Sequence, residues 1–335
     1  MFERSFGKLF LFIAFFKIHG SFEREIELGP CYLSILSPCA NNSIQFHLYY
    51  INSSDNSPQH DILDNIAPIL PFDKNEISSR KFKLVVHGYG GHTDVSGFKL
   101  IRDAYLKHND TVVMVVDWSR LAKLPCYPSA AINTKQAGEC AAQFLMGMQE
   151  NNDGFKATNV HAIGFSLGAH VASFASNAIE KAFGSKFHRI SGLDPALPFF
   201  ATARQHWKLD STDGDFVDVI HTNAGVYGKL ESCGHVDFYM NNGQFQPSCA
   251  KAKNENLCSH MMALEYFAES INTNKGFFGY KCDSYFQYVF GWCNLKEKIR
   301  NNFAIDRIRM GEFCEKKVEG IVFVNTHKKA PYAMG

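Results

Sequence analysis

A chain of 335 residues is long enough for one large domain or two small ones, and 46% hydrophobic content can fill a sizeable core. The 34 basic and 33 acidic residues leave a net charge of +1, and no basic run occurs, so there is no electrostatic case for nucleic acid. The 30 phenylalanines suit an apolar substrate, although core packing accounts for most of them.

The N-terminus carries Arg4 and Lys8 and then an apolar run over residues 9–16. That run has the length of a signal-peptide core and is too short to span a bilayer. Gly20 and Ser21 offer a cleavage point, so residues 1–20 read as a signal peptide and residues 21–335 as one secreted, extracellular domain. No other stretch is long and apolar enough to be a membrane span. Ten cysteines, at positions 31, 39, 126, 140, 233, 249, 258, 282, 293 and 314, fit an oxidising compartment. No Cys-x-x-Cys occurs, which argues against metal ligation. Asn41, Asn52 and Asn109 each open an N-x-S/T sequon and are candidate glycosylation acceptors.

Residues 21–80 read as loop-rich, with one alternating run over 44–51 and a polar turn over 53–60. Next, a short buried strand at 81–86 runs into His87-Gly88-Tyr89-Gly90-Gly91, followed by a helical pattern over 95–108. Residues 111–116 are a continuous, mostly β-branched run, typical of a parallel strand covered on both faces. A helical pattern covers 130–148. A strand at 159–163 then enters Gly164-Phe165-Ser166-Leu167-Gly168, and a helix-like run over 169–183 follows. Strand, sharp turn and helix together make the G-x-S-x-G a nucleophile elbow, where glycines flank the serine because the turn leaves no room for side chains. Further strands are expected at 189–193 and 216–221. Strand and helix patterns alternate from 81 to 223, which indicates an α/β fold built on a doubly wound, mostly parallel sheet with helices on both faces.

A serine nucleophile needs a base to take its proton and a carboxylate to orient that base. Asp194 follows a strand and precedes Pro195, in the chain order Ser then Asp that this fold uses. Asp117 precedes the serine and so has the wrong order, and Asp218 lies within a strand. Five histidines follow Asp194: His206, His221, His235, His260 and His327. The residues alone do not choose among them. His221 and His235 suit structural hydrogen bonds near a strand, and His87 and His170 suit supports for the glycine loop and the serine turn. The acyl-transfer oxyanion requires two N–H donors, for which Leu167 and Tyr89 are the candidates.

Several stretches taken together resemble the animal pancreatic-lipase family, in its secreted arthropod branch. They are His87-Gly88-Tyr89-Gly90, Val116-Asp117-Trp118-Ser119, Gly164-Phe165-Ser166-Leu167-Gly168-Ala169-His170, Gly192-Leu193-Asp194-Pro195-Ala196, residues 216–222, residues 234–239, Gln246-Pro247-Ser248-Cys249 and Cys258-Ser259-His260. The resemblance spans residues 81–270 and implies the α/β-hydrolase fold. It also implies a Ser166-Asp194-His260 triad with Tyr89 and Leu167 as oxyanion donors, and in doing so it settles the histidine.

Digestive triacylglycerol lipases of the family carry a long lid between cysteines corresponding to Cys249 and Cys258, where eight residues stand here. The cover loop over 223–233 is short as well. Both departures resemble the phospholipase A1 group, including the wasp-venom enzymes, with triacylglycerol or galactolipid hydrolysis as alternatives. A further alternative is a catalytically inactive, lipid-binding member like the insect yolk proteins. The resemblance implies a lipid aggregate or membrane surface as substrate. The chain closes, after a strand-like run at 321–325, where the family's catalytic domain does, so neither a C-terminal β-sandwich nor a colipase partner is expected, and a monomer is. No cofactor is required. Some members bind a structural calcium near a stretch matching Asp210 and Asp213, but an acidic position of that motif is Gln205 here, and the two carboxylates equally suit a solvated turn. The spacing of Cys282 and Cys293 resembles a family disulfide. Further pairings of Cys31 with Cys39, Cys126 with Cys140 and Cys233 with Cys314 are expected only by plausibility, since sequence does not fix connectivity.

Overall fold

The computed structural model describes residues 24–35, 37–39, 43–290, 293 and 307–335. The signal-peptide assignment over residues 1–20 and the Asn41 sequon lie outside the described residues. In chain order the elements are β1 (Arg24–Leu28), β2 (Cys31–Ile35), β3 (Gln45–Ile51), β4 (Pro58–Leu63), α1 (Lys74–Ser79), β5 (Lys81–Val86), α2 (Ser96–Tyr105), β6 (Thr111–Asp117), α3 (Tyr127–Asn151) and β7 (His161–Phe165). They continue as α4 (Leu167–Phe183), β8 (Arg189–Leu193), β9 (Val217–His221), β10 (Val236–Met240), α5 (Glu255–Asn272), β11 (Phe277–Cys282), α6 (Tyr285–Val289), β12 (Ile308–Met310) and β13 (Gly320–Val324).

Eleven strands form one sheet in the order β12-β11-β13-β10-β9-β8-β7-β5-β6-β3-β4. Every pairing from β13 through β6 is parallel, and the antiparallel pairs lie at the two edges. The alternation within β6 shows why its residues 112–116 are all apolar. Val112, Met114 and Val116 pack with α3 and α4 on one face, and Val113 and Val115 pack with α2 and α5 on the other. This is the α/β-hydrolase architecture. It brings the loops after β5, β7, β8 and β9 to one edge of the sheet, where ligands of open α/β folds bind.

The N-terminal region is more ordered than its composition suggests. β1 and β2 form a separate antiparallel hairpin, and the expected turn over 53–60 gives way at Pro58 to the edge strand β4. Proline opens that strand because an edge position needs no ladder donor from it. α3 holds the hairpin in place: Asn133 accepts from Ser34 N–H (2.9 Å) and donates to Tyr32 O (2.8 Å), and Gln136 donates to Ser37 O (2.8 Å).

The disulfides overturn three expected pairings. Cys31 bonds Cys126 and Cys39 bonds Cys140, with Cα separations of 5.4 and 5.2 Å. Cys126 caps α3 and Cys140 lies within it. Fourteen residues of helix are ~21 Å long, far beyond the ~7 Å that a disulfide spans. Two bonds therefore staple the N-terminal region to α3 instead of closing each segment on itself. Cys233 and Cys314 are both buried free thiols. They belong to the cores on opposite faces of the sheet and so do not meet. Cys282–Cys293 pairs as the family resemblance implies, and the two cysteines bounding the short lid segment, Cys249 and Cys258, bond each other.

Candidate active site

β7 ends at Phe165 and α4 starts at Leu167, so Ser166 alone makes the turn. It takes φ 54° and ψ −119°, a backbone region that side chains rarely tolerate. Its neighbours leave no space for anything larger. A Cβ at Gly164 would lie 2.4 Å from Gly168 O, and one at Gly168 would lie 2.2 Å from Val86 O. The turn is tied down by Ser166 N–H to Leu193 O (3.0 Å) and by Ala169 and Ala196 N–H to Ser166 O (3.2 Å each).

Asp194 directly follows β8, also at a positive φ of 44°, and is completely buried. Its carboxylate accepts Thr222 N–H (2.9 Å) and Asn223 N–H (3.1 Å to each oxygen). His260 Nδ1 lies 2.5 Å from its Oδ2. Both oxygens are thus paired, and the imidazole is oriented with Nε2 left for proton exchange. His260 sits in the second turn of α5, which Asn254 caps through Leu257 N–H (3.0 Å). The Cys249–Cys258 disulfide fixes the same helix start. The ring packs against Phe165, the residue before Ser166, with centroids 4.6 Å apart, and beside Tyr227 at 5.7 Å. The structure therefore brings the elbow, the carboxylate and the imidazole to one place.

The loop after β5 approaches the elbow from the other side. A Cβ at Gly88 would meet Ser166 Cβ at 2.8 Å, so only glycine permits the approach. His87 orients this loop. Trp118 N–H donates to its Nε2 (3.1 Å), which leaves Nδ1–H to donate to Gly88 O (2.9 Å). Gly91 N–H donates to the same carbonyl (3.1 Å). With that carbonyl turned into the loop, the Tyr89 N–H that shares its peptide plane points the other way. Neither Tyr89 N–H nor Leu167 N–H bonds any described residue, and a pair of unspent amides beside a serine turn is what an oxyanion requires.

Most of the remaining candidates are held in structural bonds. His170 donates from Nε2 to Ala196 O (2.9 Å) and accepts Leu209 N–H at Nδ1 (3.0 Å), and burial lowers its pKa to about 3. His235 accepts Val217 N–H at Nδ1 (3.0 Å). Asp117 accepts Ser119 N–H (2.9 Å), and Asp218 is locked in a bidentate pair with Arg189 (2.8 and 3.0 Å). His206 is exposed on the flank of α4, and the backbone N–H of His327 bonds Tyr332 O. Asp210 and Asp213 form neither a cation cage nor a solvated turn. Asp213 accepts Asn177 Nδ2 and Asp210 N–H (2.8 Å each), and Asp210 Oδ1 accepts the Thr212 N–H and hydroxyl (2.7 and 2.6 Å). Burial raises the Asp213 carboxyl to about 6. Lys186 caps the carbonyl of Thr212, so an ammonium of the chain already serves an oxygen that a hard cation would seek. This donor set does not fit calcium.

Three further residues support the site: Gly228 and Gln246, which the sequence does not single out, and His221, whose structural role it does. Gly228 lies against Asp194, and a Cβ there would be 2.3–2.6 Å from the carboxylate. The His221 ring faces Lys229 O with one nitrogen (2.9 Å) and Asp237 with the other (2.8 Å). That fixes the end of β9, immediately before the two amides that grip Asp194. Gln246 donates to Thr222 O and Met240 O (2.9 Å each). All three lie inside or beside the motif stretches, but the roles depend on contacts that spacing does not encode.

The chain matches the family model for Lipase over residues 35–332. It is 34% identical to mouse "Lipase member H" over 221 residues, covering 64% of this chain and 48% of that protein. It is 33% identical to "Phospholipase A1" of Vespa velutina over 217 residues, covering 62% and 71%, and 32% identical to "Pancreatic lipase-related protein 2" of Sus scrofa over 276 residues, covering 76% and 57%. The chain thus spans about half the length of the mouse and pig relatives. A model match across most of the chain, this serine elbow included, places the protein in the lipase family.

Proposed function

We propose that the chain is a secreted serine carboxylester hydrolase that releases fatty acids from glycerolipids, most closely in the manner of a phospholipase A1. His260 Nε2 takes the proton of Ser166 as its oxygen attacks the acyl carbonyl. Asp194 holds the imidazole in the required tautomer and steadies the imidazolium that forms. The oxyanion is received by the N–H groups of Leu167 and Tyr89. The tetrahedral species collapses to an acyl-enzyme, with the proton passing from His260 to the departing glyceryl oxygen. Water, deprotonated by His260, then releases the fatty acid and restores Ser166.

The observation that carries this reading is the 2.5 Å Asp194–His260 contact, made beside a serine elbow with two unspent amides. The short cover favours a phospholipid over a triacylglycerol. The Cys249–Cys258 bond closes nine residues of separation, and α5 already begins at Glu255, so this segment forms no flap over the site. A wasp relative carrying the name phospholipase A1, matched over 71% of its length, supports the same choice. Four disulfides and the N-terminal apolar run support secretion. The intact serine, aspartate and histidine speak against an inactive binding protein.

The test is fatty-acid release from labelled phosphatidylcholine, galactolipid and triacylglycerol by the purified protein and by Ser166→Ala. Phosphatidylcholine is expected to turn over fastest and the variant to be inactive. A variant that still hydrolyses lipid esters removes the mechanism, and triacylglycerol as the fastest substrate removes the phospholipase assignment. Labelling of the wild type, but not the variant, by a serine-directed phosphonate separates an enzyme from a binding protein.

A further inference from the structure

We infer that the rim of the site docks on an anionic phospholipid bilayer, in preference to a neutral one. This rests on the ester-hydrolase reading only for the reason that the rim must meet lipid. Four large apolar residues stand exposed on four different segments: Leu124 at 61%, Phe199 at 61%, Tyr227 at 38% and Leu257 at 50%. Each touches or neighbours the site. The Leu124 side chain lies over Gly90, where a Cβ would meet it at 3.1 Å. Phe199 neighbours Tyr127 (ring centroids 6.0 Å), which packs edge-on to Tyr89 (5.0 Å). Tyr227 flanks His260, and Leu257 lies on α5 one turn before it. Phe199 also holds φ 70°, a left-handed conformation rare for a bulky residue. The chain thus strains its backbone while the ring remains mostly in solvent.

An apolar rim alone suits any lipid surface. The charges around it choose. Lys123 adjoins Leu124, and Lys251 and Lys253 lie in the short segment between Cys249 and Cys258. All three are exposed, and none forms an ion pair among the described residues. Glu255 is the single acidic residue in that segment. Three less exposed lysines are spent on internal pairs instead: Lys83 pairs with Glu312, and Lys208 and Lys229 share Glu231. Each lysine close to an anionic leaflet strengthens binding about five-fold, so three give a preference on the order of a hundred-fold at low salt.

The experiment uses the full chain carrying Ser166→Ala, so that lipid is not consumed. Its partitioning is measured onto vesicles of phosphatidylcholine alone and of an equal mixture of phosphatidylcholine and phosphatidylglycerol. The expected result is binding to the mixed vesicles tighter by on the order of a hundred-fold, with the gap closing as salt rises. Lys123→Glu, Lys251→Glu and Lys253→Glu combined should abolish the gap, and the corresponding arginine variant should keep it. Phe199→Ser with Leu124→Ser should weaken binding to both vesicle types. Equal binding of the parent to both vesicles, or a gap that survives charge reversal, overturns the inference. Wild-type hydrolysis of a soluble short-chain ester is read separately. Its absence removes the enzymatic reading and leaves the vesicle result to judge the docking surface.

Discussion

The contact between Gly228 and Asp194 gives a sharp test of the proposed site, because one methyl group probes it without touching a reacting atom. Alanine at 228 places Cβ 2.3 Å from Oδ1 and 2.6 Å from Oδ2 of Asp194. Ordinary carbon–oxygen contact is about 3.5 Å, so one side must yield by roughly 1 Å. The loop is poorly placed to do so. Gly228 N–H bonds Asn223 O (3.1 Å), Gly228 O accepts Gly225 N–H (2.8 Å), and the residue bridges Ala196. The carboxylate therefore moves, and His260 turns with it. A misplacement of ~1 Å costs about a hundred-fold in rate, or ~2.7 kcal/mol of barrier. The cost in fold stability is about 1–3 kcal/mol, typical of overpacking. Gly228→Ala is assayed on a soluble short-chain ester alongside a thermal melt. The expected outcome is a folded protein with kcat lowered about a hundred-fold, KM nearly unchanged, and phosphonate labelling slowed by a similar factor. A folded variant with wild-type kcat shows that the Asp194 geometry does not control the chemistry.

Three further outcomes follow from the scaffold. His170 is buried and neutral, with a pKa near 3, while its unfolded counterpart takes a proton near 6.5. Because the folded value is depressed, stability is lost as pH falls from about 6.5 toward 3, by ~1.4 kcal/mol per unit from this residue. His170→Gln should flatten the acid limb of a urea-denaturation series, and an unchanged slope contradicts the assignment. Glu312 binds Lys83 (2.6 Å) and Tyr105 (2.5 Å) beneath the sheet. Glu312→Gln leaves the buried ammonium without its counter-charge and should cost about 3–5 kcal/mol in chemical denaturation, whereas Glu312→Leu combined with Lys83→Met should recover most of that loss. Non-reducing peptide mapping should recover Cys31–Cys126 and Cys39–Cys140. Each closes a loop of about a hundred residues, so losing either bond should cost ~4–5 kcal/mol, and a recovered Cys31–Cys39 peptide refutes the arrangement.

What the sequence reveals here follows from which constraints are local. The elbow is legible because a strand, a glycine-flanked serine and a helix are consecutive, and β6 is legible because a strand buried on both faces is apolar throughout its interior, residues 112–116. Asp194 is legible through chain order, since a strand end before a proline is a local signature. His260 is not, because five histidines follow Asp194 and nothing local distinguishes the one whose helix is capped by Asn254 and tied by Cys249–Cys258. Gly228 stays hidden for the same reason: its partner, Asp194, comes from a distant turn after β8, and the sequence shows His221 as structural without showing Asp237 as its partner. The cysteine pairings fail most clearly. Sequence proximity suggested Cys31 with Cys39, but the N-terminal region packs along α3 and presents Cys31 to the start of that helix and Cys39 to its middle.

The parallel sheet explains how two strained residues persist side by side. Ser166 and Asp194 each hold a positive φ at the carboxyl end of a strand, at a cost of about 1–3 kcal/mol apiece. Such conformations survive only when their surroundings over-determine them, and here the surroundings continue the strand ladder. Ser166 N–H bonds Leu193 O at the end of β8 (3.0 Å), and Asp194 N–H bonds Ile220 O near the end of β9 (2.7 Å). The ladder thus runs one residue past the ends of β7 and β8 and clamps both turns. The interval between serine and carboxylate is thereby tied to the strand spacing of ~4.8 Å and not to any loop. The loops over 223–233 and 250–257 are free to shorten without disturbing it. This separation lets a chain retain the reaction geometry of its family while altering the cover and the charge of the rim.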